Sequence, residues 1–296
     1  MKIQIFSIAM LLSISVATAA SATWHHRILD VKTLSELTFE DLSIRAAVSQ
    51  TIAIGELHNT TEVQILEARI IEEVVTRLHL KGRFSLGWEF LAVTQKVQNK
   101  LLYSDFMSGK ITALEFLTAT VGKSTAPFYV PVLETLKKFE GDLKGINLTR
   151  EEKAPVTKGG IKSADPQLIP PGFEMGGANY WERFTKAMGE HVPAEKHQNY
   201  FEAQCLTDDV MAYSLENEIS TVPRFFIAGN FHTDFFDGTI SRLKKRNPTS
   251  GVLSIRIIDT SEYKESELLG LLNHYIYGPI SDLVIFVNEP VQQKQK

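Results

Sequence analysis

The chain has 296 residues, 44% of them hydrophobic and 22% charged, which is enough apolar material for a sizeable core and excludes a disordered or collagen-like chain. Thirty-one Lys and Arg against 35 Asp and Glu give a formal net charge of -4 with no long basic run, which argues against a nucleic-acid or anionic-membrane surface and for a small-molecule ligand. The single cysteine, Cys205, excludes an internal disulfide framework and a Cys-rich zinc site, so any metal would need His, carboxylate or Tyr ligands.

The amino terminus reads as a secretory leader over residues 1–22: Lys2 precedes an apolar run from Ile5 to Ile14, then small residues, with cleavage expected before Ala20 or Thr23. The apolar run is shorter than a membrane span and no cysteine stands near the cleavage region. The expectation is a periplasmic or secreted protein without a stable membrane anchor, folded as one domain over residues 23–296.

Beyond the leader, short β-branched or aromatic runs alternate with segments of helical period, the pattern of a mainly parallel sheet flanked by helices in an α/β fold. Six strands are expected: Thr51 to Ile54, Phe84 to Trp88, Leu143 to Ile146, Phe225 to Ala228, Val252 to Ile258 and Leu283 to Val287. A helix is expected from Glu62 to Leu80, with Thr61 and Gln64 as a capping box. Between Phe90 and Asp142 there is room for three helices, more than one crossover requires, so an inserted helical subdomain is expected over about 91–140. The stretch from Ala154 to Ala178, rich in Pro, Gly and Lys, is expected as a lid-like loop. The last six residues read as a frayed polar tail.

In an open α/β sheet, ligands bind at the carboxyl ends of the strands. Four strand ends carry polar residues: Gly55-Glu56-Leu57-His58-Asn59 after the first, Trp88-Glu89 at the second, Asn147 and Arg150 after the third, and Gly229-Asn230-Phe231-His232 after the fourth. Glu56, His58, Glu89 and His232 are the candidate acids and bases, since imidazole serves as base or metal ligand near neutral pH and a carboxylate at a buried strand end is costly without a partner. Plain structural roles stand beside these: Glu56 as a helix cap, Arg150 as the salt-bridge partner of Glu89, Gly229 as a tight-turn residue. On the helix expected from Glu195 to Glu218, Gln204 and Asp208 share one face and point to a polar pocket, while Cys205 reads as a small buried hydrophobe.

These motifs resemble the ChaN-like haem-binding proteins, within the wider erythromycin-esterase and ChaN-like fold group. The match runs through Ile54 to Asn59, Trp88-Glu89-Phe90, Gly145 to Arg150, Glu202 to Ala212 and Ile227 to His232 with Asp237-Gly238, in the family's order over most of Thr51 to Leu243. The chain departs from the pattern at Val63-Gln64, where a His-His or His-Gln pair is frequent, at Thr149 in place of Pro, and at Gly238-Thr239-Ile240 in place of Gly-Val-Pro. The resemblance implies an exported haem-binding protein with its ligand at the carboxyl edge of the sheet, contacted by Asn147, Arg150, Gln204, Asp208 and Asn230. Some relatives hold haem through a tyrosine; Tyr103, Tyr129, Tyr180 and Tyr200 are open for that role here, and the arrangement leaves room for a homodimer. Two other readings stand beside this one. The rim of Glu56, His58, Glu89 and His232 would suit a periplasmic hydrolase of esters or amides, His-based or assisted by a divalent metal. A non-catalytic small-molecule receptor would keep the same residues for binding alone.

Overall fold

The computed structural model describes residues 26–288; the expected leader and the polar tail lie outside the described residues. One eight-stranded sheet organises them. Its strands are β1 (His26–Asp30), β2 (Glu36–Leu37), β3 (Thr51–Glu56), β4 (Ser85–Ala92), β5 (Asp142–Asn147), β6 (Arg224–Gly229), β7 (Val252–Asp259) and, after a short separate hairpin of β8 (Asn273–His274) and β9 (Gly278–Pro279), β10 (Leu283–Val287). The order is β2-β1-β10-β7-β3-β6-β4-β5. All pairs from β10 to β5 are parallel, and β1 and β2 add an antiparallel edge. All six strands expected from the sequence are present; β1 and β2 are additions to the sheet.

The central strands are buried on both faces, which is why they read as continuous apolar runs. Alternate residues serve alternate cores: Ile52, Ile54, Phe225 and Ile227 face one side, Ala53, Phe226 and Ala228 the other. The first side is covered by α1 (Phe39–Ala47), α2 (Thr61–Arg77), α3 (Lys96–Met107), α4 (Ala113–Thr120) and α5 (Ala126–Lys138). The inserted helices α3 to α5 thus continue the main core, with Phe106, Phe116, Tyr129 and Leu133 packed into it. The second side is covered by α8 (His197–Glu218) and α9 (Gly238–Arg246), after α6 (Arg150–Gly159) and α7 (Ala178–Met188) have crossed the carboxyl edge.

Two local differences from the sequence reading have clear causes. Helix α2 is capped by Thr60 rather than Thr61, and Gln64 supplies only the returning half of the expected box, its Oε1 accepting from the Thr60 N–H at 2.7 Å. The stretch expected as a lid opens inside α6, which ends at Gly159; Gly160 follows with φ +77°. From there Ile161, Leu168, Ile169 and Phe173 pack against α8.

The chain reverses direction in the sheet at its centre: β3 leads rightward past β6 to β4, whereas β6 leads back past β3 to β7. That reversal opens a crevice over the carboxyl ends of β3, β6 and β4.

Candidate functional site

At this crevice the chain builds an alternating row of carboxylates and imidazoles. Glu56 ends β3 wholly buried, and His58 Nδ1 lies 2.8 Å from its Oε1. His58 Nε2 lies 3.3 Å from Glu89 Oε1, and Glu89 Oε2 lies 3.9 Å from His232 Nε2. The row closes at Asp208, whose Oδ1 is 2.7 Å from His232 Nδ1.

Glu89 reaches this position because β4 bulges at its end: Trp88 pairs with Gly145 and Ala92 with Asn147, so four residues of β4 advance against two of β5. The bulge is held by the Asn147 side-chain amide, which donates to the Glu89 carbonyl at 2.9 Å. Glu89 Oε2 also accepts the Gly229 N–H at 2.6 Å. Gly229 has φ -51°, a value open to any residue, so the expected turn requirement does not explain it. Close approach does: a Cβ there would stand 2.8 Å from His58 Nε2. Gly55 has the same reason on the neighbouring strand, where a Cβ would stand 2.2 Å from Thr233 Oγ1.

Each buried carboxylate has its own donors. Glu56 accepts from the Tyr129 hydroxyl at 2.7 Å and from the Gln64 side-chain amide. Asp208 accepts from the Tyr180 hydroxyl at 2.6 Å and the Thr239 hydroxyl at 3.0 Å. Behind Glu56 stands Glu67, entirely buried, where burial and the charge of Glu56 hold its carboxyl well above its ordinary range. Its protonated form is therefore the favoured one beside Glu56.

The electrostatics follow from this packing. Burial opposes a charge on His58, but its hydrogen bonds to Glu56 and Glu89 and the charges of both outweigh burial and push its pKa up to about 10. Burial likewise opposes a charge on His232, and the charges of Asp208 and Glu89 again win, so its pKa is raised. Burial would raise Glu89, but the two imidazolium neighbours and the Gly229 N–H hold it down at about 2. At neutral pH His58 is therefore a cation between Glu56 and Glu89, and the charges of Asp208 and Glu89 favour the protonated form of His232.

An open cleft of about 470 Å³ borders this row. Of the residues expected to share a site, Glu89, His232, Asn147, Arg150 and Gln204 line it. Glu56 and Asp208 lie behind the lining, fully buried, as supports for the two histidines. His58 packs its ring on Phe90, with centroids 4.9 Å apart. Asn230 turns to Asp234, donating at 3.0 Å, and holds the loop that carries His232. Arg150 is exposed at the cleft mouth, and Glu89 pairs with the histidines, not with it. Cys205 is buried, its thiol pushed up to about 12 by burial.

Among the described residues, no group of three or more His, Cys, Asp and Glu side chains is placed to hold a metal ion. The divalent metal expected for a hydrolase has no donor set here, because the oxygens of Glu56 and Glu89 are already committed to protein donors and the imidazoles face carboxylates on both sides.

The tyrosines sort by burial. Tyr103, Tyr129 and Tyr180 are buried and donate to Gly141 O, Glu56 and Asp208; Tyr200 is 37% exposed on the cleft wall. Sequence reading missed Tyr275, which stands 91% exposed at the tip of the β8–β9 hairpin. There His274 is stacked on Tyr277 at 4.2 Å and on Tyr275 at 4.8 Å, while Phe235 meets His274 and Tyr277 edge-on. Phe235 follows His232 by three residues at φ +61°, a left-handed conformation uncommon for an aromatic residue, so a strained turn joins the cleft to the hairpin. The Ile276 N–H donates to His274 Nδ1 at 3.2 Å, which leaves the proton of a neutral ring on Nε2.

Comparison with known proteins agrees with this architecture. No curated protein sequence matches the chain. Among solved structures it is similar to ChaN of Campylobacter jejuni, described for cofacial heme binding, with TM-score 0.68 and 18% identity over 90% of this chain and 98% of that one. It is also similar to the type III effector HopBA1 (TM-score 0.47, 12% identity, 84% and 92% covered) and to a mutant of the erythromycin esterase EreC in its open conformation (TM-score 0.41, 14% identity, 80% and 77% covered). A family model described as haem-binding uptake, Tiki superfamily, ChaN matches residues 43–243, well over half of the chain. The chain belongs to that ChaN family of haem-binding uptake proteins.

Proposed function

We propose that the protein is an exported haem-binding protein that holds haem on the β8–β9 hairpin, with the Tyr275 phenolate as axial ligand. Family membership supports the ligand, and the exposure of Tyr275 carries its position. A porphyrin needs an apolar or aromatic surface and an accessible oxygen or nitrogen donor. The cleft wall mixes Phe184, Met188, Tyr200 and Ala203 with the cations Arg150, Lys153 and Lys158, and the ring nitrogens of its one lining histidine, His232, are already faced by Asp208 and Glu89. The hairpin instead offers Tyr275 in open solvent beside stacked rings, with Ile276 and Leu269 exposed nearby in sequence.

A porphyrin on an open platform leaves one face bare. The cofacial heme described for the Campylobacter protein suggests how it is covered here: two copies of this chain place their haems face to face, so that dimerisation depends on haem. Haemin added to the pure protein should give a saturable Soret shift with a high-spin ferric spectrum, and sedimentation should show a dimer only in its presence. Absence of a saturable shift at micromolar haemin defeats the proposal.

The leader-like segment over residues 1–22 supports export. Amino-terminal sequencing of periplasmic material should read from Ala20 or Thr23; an intact Met1 species held in membranes would contradict this. The hydrolytic alternative has less support, since His58, already protonated at neutral pH, cannot take a proton from water.

A further inference from the structure

The cleft between α6 and α8 is unused by haem in this reading, yet it is built from an unusual set of walls. Along α6, Arg150, Lys153, Ala154, Thr157 and Lys158 all line it, the spacing of one helix face. Three of those five are cations, while Glu152 is turned away to cap the helix at Thr149. Among the described residues, none of the three cationic side chains has an ion pair or a hydrogen bond to protein, although lysines elsewhere, such as Lys138 with Glu72, are paired.

Lys153 is the telling member, because it is half-buried. Burial draws its pKa down, and the charges of Glu89, Asp208 and Glu152 act on it only from beyond contact distance. An ammonium taken partly out of water without a contacting anion is costly, so its place calls for a ligand. Facing it, His232 is held from behind by Asp208, whose charge favours the protonated ring, and Gln204 keeps its amide within 3.1 Å of the same ring. The carboxylate lining the cleft, Glu89, is already neutralised by His58 and the Gly229 N–H. The cleft therefore presents three unpaired cations along one wall, and its volume of about 470 Å³ lies in the ordinary range for small ligands, roughly 300–1,000 Å³.

We propose that this cleft binds a compact anion with two negative charges on oxygen, a phosphate or a dicarboxylate, seated between Lys153 and Lys158 on α6 and the His232 ring, with Arg150 at the mouth. The proposal does not rest on the haem site: it needs only the cleft. The same oxygen chemistry is carried by the two propionates of haem, so the test must separate a free anion from those groups.

Inorganic phosphate and succinate are titrated calorimetrically into the haem-free full chain. At least one should bind saturably at one site, more weakly as salt is raised. Lys153→Gln and Lys158→Gln should each weaken it tenfold or more. Lys153→Arg, which keeps the charge, should restore most of the affinity, whereas Lys245→Gln, a surface lysine paired with Glu174, should leave it unchanged. Equal affinity in Lys153→Gln and the parent, or no saturable binding of either anion at millimolar concentration, overturns the proposal. With bound phosphate in place, displacement by haemin assigns the cleft to haem propionates, and retention assigns it to a separate small anion.

Discussion

Replacing Tyr275 by Phe should remove the high-spin ferric spectrum of the haemin complex and lower haemin affinity by about two orders of magnitude, or about 3 kcal/mol. The substitution keeps the ring that stacks on His274 and deletes only the oxygen donor, so the loss reports coordination and not the platform. Residual binding from ring contact should persist as a weak, broad absorbance change. The hairpin should keep its shape, because it is held by the stack of His274 on Tyr277, by the Ile276 N–H on His274 and by the Lys186 contact with the Tyr277 hydroxyl at 3.1 Å, none of which involves the Tyr275 hydroxyl. Tyr200→Phe on the cleft wall is the matched control and should leave the spectrum unchanged. Loss of the spectrum in Tyr200→Phe with retention in Tyr275→Phe would move the haem into the cleft and overturn the assignment. Tyr129 and Tyr180 are not informative in this way, since removing either hydroxyl takes a donor from a buried carboxylate and tests stability instead.

The parallel sheet was legible in the sequence because its central strands are buried on both faces and so read as unbroken β-branched and aromatic runs. The residues at the carboxyl ends were legible for a related reason: a polar residue directly after such a run must lie at the rim. What could not be read is how those residues are shared. The bulge that swings Glu89 between two histidines depends on the register of β4 against β5, which is a long-range property. Thus Arg150 looked like the partner of Glu89, and His58 like a free base. The hairpin with Tyr275 escaped notice because its strands have two residues each, too short for any period to show. The sequence carries one further signal. Glu67 stands on the same helical face as Val63, Ile70, Ile71 and Val74, and an acid in the middle of an apolar stripe points to a second carboxylate beside Glu56.

Glu89→Gln should destabilise the protein by about 3 kcal/mol at pH 6, the second large effect expected. The figure follows from the difference between a pKa of about 2 in the fold and the ordinary 4.5, and it agrees with the usual cost of leaving buried charges without their counter-ion. The amide still accepts the Gly229 N–H, so packing and the bulge are retained while the charge facing both imidazoliums is lost. The sign of the pH dependence separates this from a packing defect. A carboxylate with a depressed pKa stabilises the fold fully above about 4.5, and that contribution disappears as the pH falls toward about 2. His58 acts in the opposite direction: its raised pKa stabilises the fold below about 6.5, and this is lost as the pH rises toward about 10. Its side chain is 36% exposed, so solvent screening makes its share smaller than that of Glu89. The parent protein should therefore be most stable between about pH 4.5 and 6.5, and urea unfolding should show the gap between parent and variant at its widest there. The gap should close as the solution is made more acidic. In the variant, imidazole titration followed by nuclear magnetic resonance should show both His58 and His232 losing their protons at lower pH than in the parent. Unchanged histidine titration, or a stability gap that is the same at pH 3 and pH 6, would show that Glu89 is held there by packing alone.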